Sequence, residues 1–191
     1  MTKVVMVASG FSASQINEYD YKGNGWTIVA INNGWLACPE IWDHWVKPGD
    51  YKGQKPEKVL SHQSIVPRYR NHLNKFGGQK ACGYSITLNA AYWALEELKP
   101  SVIGFLGADM NYTPNENGDT HIYGIGYDIK TNKVPDPDRM VKRYGKEDPN
   151  FLNNIYMRLA EKAEERNCKV YNLSHTIETR LPYERINPCN V

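Results

Sequence analysis

Residues 101–124 read SVIGFLGADMNYTPNENGDTHIYG, and the way this stretch divides decides the fold. Val102 to Leu106 is an apolar run too short for an independent helix, closed by Pro100 before it and Gly107 after it, so it reads as a buried strand. Polar residues follow at once: Gly107, Asp109, Asn111 and Tyr112 stand where a parallel strand would end. Ligands of open α/β sheets bind outside the carboxyl ends of the strands, so Asp109 and Asn111 are site candidates by position. The loop beyond is rich in Asn, Gly, Pro and Asp and carries His121 and Tyr123 between Thr120 and Gly124. A histidine there can fold back over the strand end.

Working outward, Gly83 to Leu98 is expected to be the helix that feeds this strand. Thr87, Ala90, Ala91 and Ala94 give it a small face for close packing, Trp93, Leu95 and Leu98 flank that face, and Lys99-Pro100 stops it. Its first turn, with Ser85 and Thr87, offers N–H groups and hydroxyls either to a ligand or to its own capping. Lys3 to Ala8 is a β-branched run that breaks at Ser9-Gly10 and leads into Ser12-Ala13-Ser14, a strand, a tight turn and a helix start. Gly10 and Ser12 are placed to meet a phosphate, although every βα unit needs such a turn. The turn is neither G-x-G-x-x-G nor a P-loop, which leaves ATP hydrolysis of the P-loop kind unsupported.

A second strand, Trp26 to Ile31, ends on Asn32-Asn33-Gly34, where the two amides suit either a turn or the hydrogen-bonding edge of a base or sugar. Pro39 to Val46 fits a short strand or a helical turn. Residues 52–80 hold seven Lys and Arg against Glu57 alone, with His62, Tyr69, His72 and Phe76 among them. Such a basic insertion is either solvated or turned toward phosphates or nucleic acid. From Asn111 to Gly145 there is little periodicity, and a loop of that length reads as a lid. Asp148-Pro149 then opens a helix carried by Phe151, Ile155, Leu159 and Ala163, and Lys169 to Leu173 forms a last strand that ends on Ser174-His175-Thr176.

Alternating strands and helices make the expected fold α/β: a single Rossmann-like domain over residues 1–191, with a mainly parallel open sheet, helices on both faces and a long lid loop. At 191 residues one core suffices. A net charge of +2 does not by itself call for a nucleic-acid or membrane partner, and no stretch approaches the ~20 apolar residues of a membrane span. Cys38, Cys82, Cys168 and Cys189 are widely spaced, without a Cys-x-x-Cys pair, which favours reduced thiols over a disulfide framework or a metal site. The opening MTKVVMVASG is too quickly broken for a signal peptide, so a cytoplasmic protein is expected.

Four stretches carry a resemblance. VVMVASGFSAS (4–14), TIVAINNGW (27–35) and GYSITLNAAYWALEELKPSVIGFLGADMNY (83–112) resemble the bacterial CMP-sialic-acid-dependent sialyltransferases of glycosyltransferase family 42. VYNLSHTIETRLP (170–182) is similar to the last strand of related uncharacterised phage and bacterial proteins. A more distant group with the same turn and Asn pattern includes a hydroxymethylpterin pyrophosphokinase. Phe11 departs from the family, which has Pro in this turn. The resemblance implies a nucleotide-sugar donor, no metal and no other cofactor. It also implies Gly10 and Ser12 at the phosphate, Asn32 or Asn33 at the nucleotide, His121 as general base on an acceptor hydroxyl and Tyr123 at the departing phosphate. Asp109 would orient the imidazole or bind a sugar hydroxyl. The alternatives are a loop histidine without a role, a non-catalytic nucleotide-binding protein, or a nucleic-acid-modifying one working through 52–80.

Overall fold

The computed structural model describes residues 2–126, 150–175 and 178–191. Six strands build one sheet: β1 (Lys3–Val7), β2 (Trp26–Ile31), β3 (His44–Val46), β4 (Ser64–Ile65), β5 (Val102–Leu106) and β6 (Lys169–Asn172). They lie in the order β4-β3-β2-β1-β5-β6 and every pair is parallel. The chain therefore winds outward from β1 to β4, crosses back to place β5 on the other side of β1, and finishes with β6. That reversal puts a topological switch point between β1 and β5, the place where an open α/β sheet forms its crevice. The fold is an open-sheet, Rossmann-like α/β domain.

Side chains alternate across the sheet as the pleat requires. Val4, Met6, Val29, Ile31, Ile103 and Phe105 enter one core, while Val5, Val7, Ile28, Ala30 and Leu106 enter the other. The first core is covered by α2 (Ile86–Glu97) and α3 (Phe151–Glu164), whereas the short α1 (Gly78–Ala81) contributes no buried residue to it. The opposite face is covered by two 3-10 helices, Phe11–Glu18 and Asn32–Ala37, and by Trp42 and Trp45. The helix expected after the first strand is thus a 3-10 helix. Its start is drawn tightly onto β5, as described below.

Within 39–46 only His44–Val46 is strand. The basic segment 52–80 is built into the fold: it supplies β4, a 3-10 helix over Tyr69–Phe76 and α1, and it buries Tyr69, Leu73 and Phe76 in the first core. Its seven Lys and Arg side chains all belong to exposed residues. The helix read from Gly83 begins three residues later at Ile86, because Gly83 and Tyr84 both take left-handed backbone angles, φ 76° and 54°. Of the 111–145 loop, residues 111–126 are described and the remainder lies outside the described residues, as does Asp148-Pro149. Asn150 occupies the N-cap position of α3.

Candidate functional site

Two constellations meet at the switch point. The first ties the ends of β1 and β5 together. Gly10 N–H donates to the Gly107 carbonyl at 2.7 Å, and Gly107 N–H donates to Ser12 Oγ at 2.7 Å. Ser12 N–H donates to Asp109 Oδ2 at 2.9 Å, and the Ser12 hydroxyl donates to Asp109 Oδ1. Asp109 is 2% exposed and Ser12 is fully buried. The glycine at position 10 is required by this approach, since a Cβ there would stand 2.5 Å from Asp109 Oδ2.

The carboxylate of Asp109 therefore caps the 3-10 helix that follows β1 and occupies the N–H site expected for a phosphate. Both Ser12 donors are committed to Asp109, so in this structure Ser12 braces the turn. Burial pushes the Asp109 carboxyl up from the usual range, opposed by the two Ser12 bonds and by the charge of Arg185. Asp109 does not orient the imidazole of His121 either. Its oxygens face Ser12, and the imidazole faces Thr120.

The second constellation hangs over this brace. Ile122 N–H donates to the Ser9 carbonyl at 3.1 Å, which pins the loop to the end of β1 and brings His121 back over the sheet. A tight turn holds the ring: His121 N–H donates to the Gly124 carbonyl at 3.0 Å, and Gly124 N–H returns to the His121 carbonyl at 3.1 Å. The imidazole lies between two tyrosines, stacked on Tyr123 with centroids 5.1 Å apart and tilted against Tyr112 at 5.4 Å. Its Nδ1 is 2.9 Å from Thr120 Oγ1. Gly126 closes the far side; a Cβ there would lie 2.2 Å from the ring. Burial lowers the His121 pKa to about 4, so the ring is neutral at pH 7.

Hydroxyls and amides extend this cluster toward β2. Burial raises the Tyr112 pKa to about 12 and also raises that of Tyr123, where hydrogen bonding to Asn33 and Ser9 opposes the shift. Both phenols are protonated donors at neutral pH. Asn33 Oδ1 accepts from the Tyr51 hydroxyl, and that hydroxyl also reaches the Gln54 carbonyl, 2.9 Å away. Asn32 takes a left-handed conformation, φ 50°, and its carbonyl accepts from Trp45 Nε1 at 2.7 Å. Its Oδ1 is buried without a hydrogen-bond partner among the described residues.

The remaining candidates divide. Ser85 occupies the N-cap position of α2 and lies against Tyr156. Thr87 is half-buried in the first turn of α2. Asn111 spends its Oδ1 on the N–H of Thr113 at 3.1 Å, a local turn. Ser174 is buried after β6, its N–H donating to Asn172 Oδ1 at 3.0 Å. The neighbouring His175 pairs with Glu18 at 3.0 Å. Thus His121, Tyr123 and Asn33 gather with Ser9, Gly10 and Ser12 belong to the brace, and Asn111 and Ser174 make bonds of their own.

Thr120, Tyr112, Tyr51 and Ser9 were not singled out from the sequence as site residues. A hydroxyl beside a histidine is a usable signal for Thr120. Tyr51 has none, because it meets Asn33 across 18 residues of chain. Among the described residues, no group of three or more His, Cys, Asp or Glu side chains could hold a metal ion. No helix among them is long and apolar enough to cross a membrane. Compared with family models, with curated proteins and with solved structures, the chain matches none of them.

Proposed function

We propose that the cluster at the switch point binds a nucleotide sugar and transfers its sugar to an acceptor hydroxyl without a metal, in the manner of a sialyltransferase-like glycosyltransferase. The observation that carries this reading is the neutral His121 imidazole held between Tyr112 and Tyr123 over the β1 end, with Asn33 at the adjoining β2 end. Tyrosine hydroxyls and an amide suit phosphate and sugar oxygens, and a neutral imidazole can exchange a proton with a bound ligand. His121 has two candidate partners, the acceptor hydroxyl, toward which it would act as base, and the departing phosphate oxygen. A ring of pKa about 4 is a weak base at pH 7, and a bound phosphate anion beside it would raise that value.

The test is a thermal-shift screen against CMP, CDP, UDP, GDP, ADP and their sugar conjugates, in which a ligand at 100 times its Kd adds about 2.7 kcal/mol of stability. One nucleotide is expected to stabilise the protein and its sugar conjugate to be turned over. His121→Ala is then expected to lose about 10²–10⁴-fold in turnover with nucleotide affinity nearly unchanged. Full turnover in that variant removes His121 from the chemistry.

The low basicity of His121 favours a second reading, a nucleotide-binding protein without catalysis; recovery of unaltered donor after prolonged incubation would select it. The exposure of all seven basic residues in 52–80 favours a third, a nucleic-acid partner. Binding that does not weaken with added salt would remove it.

A further inference from the structure

Thr120 is 1% exposed, and its hydroxyl faces two neighbours. Gly126 N–H donates to Oγ1 at 3.0 Å, and Oγ1 lies 2.9 Å from His121 Nδ1. A backbone N–H can only donate, so it occupies a lone pair of Oγ1 and leaves the hydroxyl proton to be placed. An unmatched buried donor costs about 1–3 kcal/mol. Among the described residues, Nδ1 is the acceptor that faces this proton. If Nδ1 instead carried the hydrogen, Oγ1 would receive two donors and its own proton would have no acceptor there. A neutral imidazole has one N–H, so that hydrogen is on Nε2. Nε2 has no hydrogen-bond partner among the described residues.

We infer that Thr120 is a positioning residue that holds His121 as the Nε2–H tautomer, so that the imidazole meets a ligand as a hydrogen-bond donor. The ligand atom facing Nε2 is then an acceptor oxygen. This last assignment rests on the nucleotide reading above, which makes the oxygen a phosphate oxygen; the tautomer itself does not depend on that reading. Gly126 reinforces the arrangement. Its N–H orients the Thr120 hydroxyl, and its lack of a side chain lets the backbone lie against the ring. Between the two roles weighed for His121, the resting tautomer favours the departing phosphate. A base acting through Nε2 needs the opposite tautomer.

Long-range proton–nitrogen correlation spectra of the full chain labelled at histidine, recorded at pH 7, read the tautomer directly. The His121 signals are identified by their loss in His121→Asn. The expected spectrum has a protonated, pyrrole-type Nε2 and an unprotonated, pyridine-type Nδ1. The reverse pattern overturns the inference. Thr120→Ser is expected to keep the wild-type pattern, and Thr120→Val to shift both nitrogens toward the averaged values of a tautomer mixture. An unchanged tautomer in Thr120→Val removes Thr120 from the role. If that variant fails to fold, Thr120→Ala takes its place, read in the same way. Addition of CMP, CDP, UDP, GDP and ADP in turn to the wild-type sample separates the two proposals: no response to any of them alongside an Nε2–H ring defeats the nucleotide reading and leaves the positioning role intact, whereas an Nδ1–H ring that responds to one of them does the opposite.

Discussion

The brace of Asp109, Ser12, Gly10 and Gly107 and the cluster of His121, Tyr112, Tyr123 and Asn33 sit at the same end of the same sheet, yet they are built on opposite principles. In the brace every polar group named has its partner inside the protein, and both side chains are sealed from solvent. In the cluster, donors and aromatic faces remain partly open: Tyr123 is 37% exposed, and the His121 ring is held by stacking and a single hydroxyl. A satisfied buried network rigidifies, whereas a site that binds must leave some capacity unspent. The lesson is that Asp109, the residue whose position at the strand end most suggests chemistry, is the part of the edge that holds the other parts still.

The sharpest way to break this contrast is Asp109→Ala. It removes two hydrogen bonds to a buried carboxylate and leaves the Ser12 N–H unmatched, so a loss of about 4 kcal/mol is expected in urea unfolding without any ligand. A variant of wild-type stability would return Asp109 to the list of ligand-contacting groups.

The next effect is a pH dependence confined to the cluster. His121 has its pKa lowered to about 4 in the folded chain, against about 6.5 when unfolded, so between these values the unfolded state binds more protons. The contribution is complete above pH ~6.5 and is lost as pH falls toward ~4, an effect of about 3 kcal/mol. Asp109 works in the opposite sense: its raised pKa means that stability falls as pH rises from the unfolded carboxylate value through the folded one. Comparing the pH profile of wild type with that of His121→Asn isolates the histidine, and identical slopes would show that the ring is not buried as described.

The smallest effect belongs to Tyr51→Phe. It deletes the hydroxyl that meets Asn33 and Gln54 but keeps the ring against Trp45, so a loss of about 1 kcal/mol is expected. If the cluster binds nucleotide, the same change frees Asn33 and alters affinity by more than it alters stability. A change in stability alone would make the Tyr51–Asn33 pair part of the scaffold.

Four of the six strands were legible because they are short apolar runs broken by Gly, Asn or Pro, and the positions of Val4 to Val7, Ile28 to Ile31 and Val102 to Leu106 follow from that pattern alone; β3 stayed open between a strand and a helical turn, and β4, only two residues long, left no pattern to read. The helices α2 and α3 were equally plain from their spacing. The segment 52–80 was not: its charges advertise a solvated loop, while Tyr69, Leu73 and Phe76, which anchor it, are too few to form a periodic signal.

The sequence by itself determined the class of fold, the ends of the main strands at which the candidate site lies, and the loop that carries His121. These depend on local patterns of burial and turn chemistry that neighbouring residues suffice to express. Only the tertiary structure decided what each polar residue does there. Asp109 and Ser12 are 97 residues apart and bind each other, Asn33 answers to Tyr51, and Ile122 is drawn onto Ser9. A side chain's hydrogen-bonding capacity is finite, and whether it goes to the scaffold or to a ligand depends on partners that only the closed sheet brings within reach.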